Sequence, residues 1–281
     1  MAAVGLGLLI AAAFGSGDFT GGRASAAAPT LAVLFVAQVC SLAGAAVLAV
    51  IVSARVETAD VVYGALAGTV NVVGLGLLYR ALARHAAGVV APLTAVVGAL
   101  VPVAWGLAHG ERPSALVLAG ITLSIGAAAL LARGDGTTTA GPKIARGVGP
   151  AVLAGAALGS SLILYAETST TSGQVPVVAA RAAAVVVVGV ALLWVRPRAS
   201  GPLVRPLGLL APAAGVLDVA ATALLVVAVR RALLSVVAPL ASLAPGCTVL
   251  LALVVSKERL GRSQRAGLAV ALVALVCIAT G

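Results

Sequence analysis

Charged residues are scarce in this sequence. They make up 9% of its 281 residues, whereas 62% are hydrophobic. About a quarter of the residues of a soluble domain are charged, so this composition excludes an ordinary soluble fold. Aromatic residues are also few, at 3%. The net charge of +10 does not indicate nucleic-acid binding, because the basic residues sit singly between apolar runs without interleaved aromatics.

Groups that carry catalytic or metal chemistry are few as well. The sequence has two histidines, and its three cysteines, Cys40, Cys247 and Cys277, lie in apolar stretches without paired spacing. Such cysteines are typical small core residues rather than disulfide partners or metal ligands. The sequence contains no Gly-x4-Gly-Lys loop and no His-Glu-x-x-His pattern. We therefore expect a protein that is not an enzyme and that has no cofactor and no metal site.

Long apolar runs are what the sequence has in abundance. A membrane span needs about 20 mainly apolar residues. Backbone polar groups in lipid must be hydrogen-bonded internally, which favours helices, and the runs do not alternate as the strands of a β-barrel do. We predict an all-α membrane protein with ten transmembrane helices, at about residues 4–20, 29–52, 61–82, 86–108, 113–132, 148–166, 175–195, 207–229, 232–256 and 262–281.

One short motif occurs twice. Residues 89–93 and 236–240 both read Val-Val-Ala-Pro-Leu, and the same shift of 147 residues places Asn71 on Asp218. An apolar chain matches itself often, but not at proline and polar residues together. The pattern predicts a duplicated unit.

The duplication divides the chain into two five-helix units, residues 1–132 and 148–281, joined by a polar linker at 133–147. Because five is odd, the units must cross the membrane in opposite senses, which is the inverted-repeat plan of secondary transporters. Most Lys and Arg residues fall in loops that follow the odd-numbered predicted helices. The positive-inside rule places these loops in the cytoplasm and both termini outside.

Polar residues inside a predicted span are candidates for binding or coupling, because each is costly to insert into lipid. Asp218 lies near the middle of its helix, and Asn71 is its neutral counterpart. Arg181 is a potential partner of Asp218, and Gln38 is its rough equivalent in the first unit. The alternative is a buried structural ion pair without a role in transport. Asp18 falls near the end of its predicted helix, where carboxylates are more often interfacial.

Prolines interrupt several of the predicted helices. Pro92 and Pro239 belong to the duplicated motif, and Pro245 follows in the same helix as Pro239. A proline in a helix interior removes a backbone hydrogen bond and kinks the helix. We predict these three as helix breaks, with Pro92 and Pro239 as paired hinges; packing geometry alone is the alternative.

Several segments of the second unit form a recognisable pattern: residues 214–218, residues 236–243, Pro245, Thr248, Glu258-Arg259 and Gly267. The first unit carries a weaker copy, and residues 15–19 add a first-helix pattern. Together they resemble the repeat signature of the EamA family of the drug/metabolite transporter (DMT) superfamily. The resemblance covers nearly the whole chain. It implies ten helices in two inverted units, export or exchange of small metabolites, and cytoplasmic termini, opposite to the orientation that the charges favour.

These observations predict a multi-pass secondary transporter of the cell membrane that moves a small organic metabolite by alternating access. Its partners would be the substrate, the lipid bilayer, and protons or ions if transport is coupled; oligomeric state is left open. Translocation of a lipid-linked head group and a scaffold that moves nothing are the alternatives. A central cavity between the third, fourth, eighth and ninth helices would distinguish a transporter from a scaffold.

Overall fold

Where the structure describes the chain, its regular elements are helices joined by short connections. The computed structural model describes residues 2–51, 56–110, 114–132, 141–169, 171–195, 208–230, 244–257 and 260–280. Within these ranges we number ten helices and find no strand. They are α1 (Ala2–Ala27), α2 (Thr30–Ile51), α3 (Thr58–Arg84), α4 (Ala87–Ala108), α5 (Ala115–Ala132), α6 (Gly141–Ala166), α7 (Val175–Val195), α8 (Leu210–Arg230), α9 (Ala244–Val255) and α10 (Arg262–Thr280).

The first helix is longer than the sequence predicts. The prediction ended it near Thr20, but α1 continues to Ala27. Gly21 and Gly22 weaken a helix without stopping it, and the first proline is Pro29, whose preceding residue avoids helical geometry. The extension moves Asp18 from the predicted helix end to the interior of α1.

Helix α6 also begins earlier than predicted, at Gly141, inside the segment assigned to the linker. Pro142 follows at the start of the helix, where a missing N–H costs no hydrogen bond. The prediction treated Gly141 and Pro142 as loop residues, although a proline can equally well open a helix. Residues 133–140 of the predicted linker lie outside the described part.

Five of the helices are long and apolar enough to cross a membrane: Thr30–Val50, Thr58–Arg84, Ala87–Ala108, Gly147–Ala166 and Val175–Trp194. Shorter apolar helical segments are described in α5, α8 and α9. Large apolar side chains face outward, and Val50 and Trp194 are 89% and 85% exposed. The interior of the bundle holds mostly alanine and valine. An apolar exterior around a core of small residues is typical of an all-α membrane protein.

The helices pack in a pattern that connects the two halves of the chain. Helix α3 packs against α6 and α7, while α8 packs against α1 and α2. Helix α4 packs against α6, and α9 packs against α1. Contacts also join α2 to α7 and α5 to α10. Replacing each helix in these pairs by the helix five places along the chain, with α1 following α10, always gives an observed pair. The pairs α2–α7 and α5–α10 are converted into themselves.

Two glycines allow helices from different halves to touch at their backbones. A Cβ atom on Gly68 of α3 would overlap the backbone of Ala180 in α7. A Cβ atom on Gly215 of α8 would overlap the backbone of Ala37 in α2. Small residues at helix crossings permit this approach in membrane proteins. Gly68 and Gly215 are also related by the shift of 147 residues.

At one end of the bundle, a carboxylate ties the two halves together. Asp60, in the first turn of α3, is 2% exposed. Its Oδ1 accepts a hydrogen bond from the backbone N–H of Ser169 at 2.7 Å, and its Oδ2 accepts one from the Ser169 hydroxyl at 2.7 Å. Ser169 lies in the connection between α6 and α7. The sequence places Asp60 in a polar turn and gives no sign that it is buried.

The opposite end of the bundle contains a cavity. A cavity of about 580 Å³ lies between the last turns of α1 and α3 and the end of α9, with Arg23 and Ser256 on its wall. Both residues are exposed, and the Arg23 guanidinium lies 5.8 Å from the centre of the Phe19 ring. The ends of α1, α3 and α9 therefore lie on the same side of the bundle, as helices of alternating direction require.

Candidate functional site

A second cavity lies in the middle of the bundle. Its volume is about 360 Å³. Helices α3, α4, α8 and α9 contribute to its wall, as do α1, α6 and α10. The lining residues are Phe14, Asp18, Asn71, Leu75, Leu78, Ala91, Thr94, Ala95, Gly98, Ala99, Leu158, Gly159, Ser161, Leu162, Asp218, Ala244, Pro245 and Leu275.

Small residues on α4 and α6 shape this cavity. Ala95 and Ala99 of α4 line it, so the helix leaves open space where longer side chains would fill the bundle. On the neighbouring surface, a Cβ atom on Gly159 would press against the backbone of Gly98. Close approach of α4 and α6 thus forms one wall, while short side chains keep the centre open.

An ion pair connects the wall of the cavity to the protein interior. The Nη2 atom of Arg181 in α7 lies 2.7 Å from Oδ2 of Asp218 in α8. The Arg181 side chain is 9% exposed and that of Asp218 is 19% exposed. Asp218 lines the cavity, whereas Arg181 lies behind it. The structure therefore contains the pair that the sequence suggested, with its acidic member facing the cavity.

Helix α2 supplies two further groups to this pair. The Ser41 hydroxyl donates a hydrogen bond to Oδ2 of Asp218 at 3.0 Å, and Nη1 of Arg181 donates one to Oε1 of Gln38 at 3.5 Å. Gln38 and Ser41 are both buried. Three of the four predicted polar residues thus form one cluster with Ser41, which the sequence analysis did not single out.

The fourth predicted residue, Asn71, lies on another wall of the cavity. Its side-chain amide donates a hydrogen bond to the Ser161 hydroxyl of α6 at 3.4 Å, and Ser161 in turn donates to the Leu158 carbonyl at 2.7 Å. Asn71 and Ser161 both line the cavity. The contact joins the third helix of one half to the first helix of the other.

Hydroxyl groups on the wall and near it are bound to backbone carbonyls. Thr94 of α4 donates to the Ala151 carbonyl at 3.2 Å. Thr248 of α9 donates to the Gly15 carbonyl at 3.0 Å. These bonds hold α4 against α6 and α9 against α1. They occupy the hydroxyl protons, so both threonines have a structural role, and of the two Thr94 lines the cavity.

Asp18 is the residue that the sequence analysis placed wrongly. It was expected near a membrane interface, but it lies within α1 and lines the central cavity together with Asp218. No group in the described part of the chain donates a hydrogen bond to its carboxylate or forms an ion pair with it. The adjacent Gly17 brings α1 close to α8, since a Cβ atom there would lie 3.8 Å from the backbone nitrogen of Asp218.

The predicted helix breaks take different positions. Pro92 lies inside α4 and is fully buried, without lining the cavity. Pro245 lies at the start of the described part of α9 and lines the cavity. Pro239 is outside the described residues, as is the Glu258-Arg259 pair. Pro92 and Pro239 therefore remain hinge predictions. Pro245 remains a predicted helix break and is the one of the three that lines the described cavity.

Neither the protein-family models nor the curated proteins searched include a match to this sequence. The resemblance to the EamA family therefore stays a prediction. In the described ranges, no group of three or more His, Cys, Asp or Glu side chains could hold a metal ion.

Proposed function

We propose that this protein is a multi-pass secondary transporter of the cell membrane, of the EamA type, that moves a small organic metabolite by alternating access. The observation that carries the proposal is the central cavity. Polar side chains from both halves of the chain, Asp18 and Asn71 from the first and Ser161 and Asp218 from the second, converge on one space of about 360 Å³. Ligand sites of secondary transporters are of this kind, near the midplane where two halves meet.

A scaffold that moves nothing would bury its polar groups in closed pairs. Arg181 and Asp218 do form a pair, but Asp218 also faces the cavity, and Asp18 faces it without a partner in the described part of the chain. Open polar groups at a cavity inside an apolar bundle are costly to maintain. Their presence favours a binding role over a scaffold.

The packing of the helices supports two inverted five-helix units and ten spans. The main contacts keep their pattern when each helix is replaced by the helix five places along the chain. Gly68 and Gly215, related by the shift of the sequence motif, make equivalent contacts with α7 and α2. Two similar units related by a two-fold axis would produce this pattern.

Within the proposed transporter, the residues divide into two groups. Asn71 and Asp218 occupy shift-related positions and would contact the substrate or the coupling ion. Arg181 and Gln38 lie behind the wall and would hold Asp218 in position, because Arg181 contacts it directly and Gln38 contacts Arg181. Pro245 would shape the entrance to the site from α9.

Blocking the cavity tests the proposal. Ala95 of α4 faces the cavity, so Ala95→Phe should fill it. Ala104 lies on the same helix but is exposed, so Ala104→Phe is a matched control on the outer surface. Proteoliposomes with the wild-type protein would be screened for uptake and exchange of labelled amino acids, amines and nucleosides.

We expect Ala95→Phe to abolish the transport found in the screen and Ala104→Phe to retain it. Both variants should fold, which thermal unfolding in detergent would show. Equal transport by the two variants would contradict the assignment of the cavity. A lack of transport by wild-type protein across the panel would favour the scaffold alternative.

A further inference from the structure

We propose that the central cavity binds a monovalent organic cation with an apolar body, and that Asp18 is the counter-ion of this ligand. This inference rests on the proposed function and names the substrate class of the same site. The argument has three steps: the sign of the charges on the wall, the way in which one of them is already neutralised, and the character of the remaining surface.

The ionisable groups that the structure describes on the cavity wall are of one sign. Of the 18 described lining residues, Asp18 and Asp218 alone carry an ionisable side chain. None of these 18 is a Lys, Arg or His, although the whole chain has a net charge of +10. Among the described residues, an anionic substrate would therefore meet two carboxylates and no facing cation.

The two carboxylates are not equivalent. Asp218 is neutralised from behind by Arg181 at 2.7 Å, and its Oδ2 also accepts a hydrogen bond from Ser41. Asp18 has neither an ion pair nor a hydrogen bond within the described ranges. Asp18 is thus the cavity carboxylate that no described group compensates. The charged form of an isolated carboxylate is strongly disfavoured in an apolar interior, so a cation bound beside Asp18 would be stabilised by neutralising it.

The rest of the wall determines what kind of cation fits. Leucines of three helices, among them Leu75, Leu158 and Leu275, face the cavity, and Phe14 lies one turn before Asp18 on α1. The leucines offer few acceptors to hydrate a small inorganic ion. They suit a ligand that buries apolar surface and contributes one positive charge near Asp18. The polar groups of Asn71 and Ser161 also line the cavity, bonded to each other at 3.4 Å.

Benzyltrimethylammonium is a suitable probe because its charge is permanent and its body is apolar. Its binding to the full-length protein in detergent would be measured by calorimetry, with phenylacetate as an anion of similar size. We expect the wild-type protein to bind the cation and not the anion. Asp18→Asn should weaken binding of the cation by about tenfold to a hundredfold, as expected for loss of a charge-assisted contact.

Glu57→Gln provides the matched control. Glu57 is exposed at the start of α3 and makes no capping hydrogen bond, so this variant removes one carboxylate outside the cavity. It should bind the cation as the wild type does. Unchanged binding by Asp18→Asn would overturn the inference. If that variant does not fold, the wild-type comparison decides: binding of phenylacetate as tight as that of the cation, or no binding of the cation, would overturn it.

The failure of this inference can be told from failure of the proposed function. Transport of a labelled metabolite that Ala95→Phe abolishes, without binding of benzyltrimethylammonium, would refute the cation site and keep the transporter. Binding of the cation that depends on Asp18, without transport of any compound tested, would keep the site and refute the transporter.

Discussion

Replacing Asp218 by asparagine should destabilise the protein through Arg181. The substitution removes the only charged partner of Arg181 among the described residues and leaves a guanidinium whose side chain is 9% exposed. Breaking a buried ion pair from one side costs about 3–5 kcal/mol. The Asp218 side chain is 19% exposed, so the ion pair is not completely buried. We therefore expect a loss at the lower end of this range, about 3 kcal/mol. That loss lowers the ratio of folded to unfolded protein more than a hundredfold.

Two further variants separate the charge from the hydrogen bonds. Arg181→Gln in the Asp218→Asn background removes the unpaired cation, so the double variant should recover most of the lost stability. Ser41→Ala keeps both charges but removes one hydrogen bond to Oδ2 of Asp218. It should cost about 1.5 kcal/mol, the lower end for a hydrogen bond to a charged group.

A double-mutant cycle would measure the free energy of unfolding of the wild type, Asp218→Asn, Arg181→Gln and the double variant. Ser41→Ala would be measured beside them. The coupling energy between positions 181 and 218 should be favourable and larger than the Ser41→Ala effect. An Asp218→Asn protein as stable as the wild type would refute the reasoning. So would a double variant no more stable than Asp218→Asn, because the unpaired cation could not then be the cause.

Three more predictions follow from other contacts. Gly215→Ala should lower stability by about 1–3 kcal/mol because the new Cβ overlaps a backbone. Gly126→Ala, where a Cβ meets open space, should raise stability by about 1 kcal/mol. Unfolding temperatures that shift in the same direction for both variants would contradict this prediction. Asp60→Asn should lower stability by about 1.5–3 kcal/mol because it weakens the hydrogen bonds between the first turn of α3 and Ser169. It should also speed proteolysis of the α6–α7 connection, and an unchanged cleavage rate would contradict a role of Asp60 in holding this connection. Glu57 precedes α3 and Ser256 follows α9, so the two positions probe opposite sides of the membrane. If the basic loops after the odd-numbered helices are cytoplasmic, an impermeant thiol reagent in intact cells should label Glu57→Cys but not Ser256→Cys. The reverse pattern would support cytoplasmic termini.

The sequence alone predicted the helices well, because long apolar runs have few alternatives. The prediction for α7, at residues 175–195, agrees with Val175–Val195. The sequence also singled out Asp218, Asn71 and Arg181, because a strongly polar residue within an apolar run is conspicuous. Asn71 and Asp218 meet at one cavity, with Arg181 behind its wall, because of how α3, α7 and α8 pack, and no local pattern specifies this packing.

The residues that were missed had ambiguous signals. Ser41 and Ser161 are hydroxyls in apolar helices, where a serine can bond to a carbonyl of its own helix. Ser161 does so, and it also reaches Asn71, so sequence cannot tell which serines join helices. Asp18 was misplaced because the first helix was predicted to end near Thr20, only two residues beyond it. Its position in the cavity became clear only when α1 was seen to continue to Ala27.

The glycine contacts restrict how this bundle can move. At Gly68 and Ala180, and at Gly215 and Ala37, two backbones touch without a side chain between them, so one helix cannot slide along the other without collision. Gly64, one turn before Gly68, meets the backbone of Pro176 in the same way and gives α3 and α7 a second fixed point. If the cavity opens and closes as the proposed transport requires, we expect α3 to move with α7 and α8 with α2 as rigid pairs. The sliding surfaces of the protein would be those between the pairs.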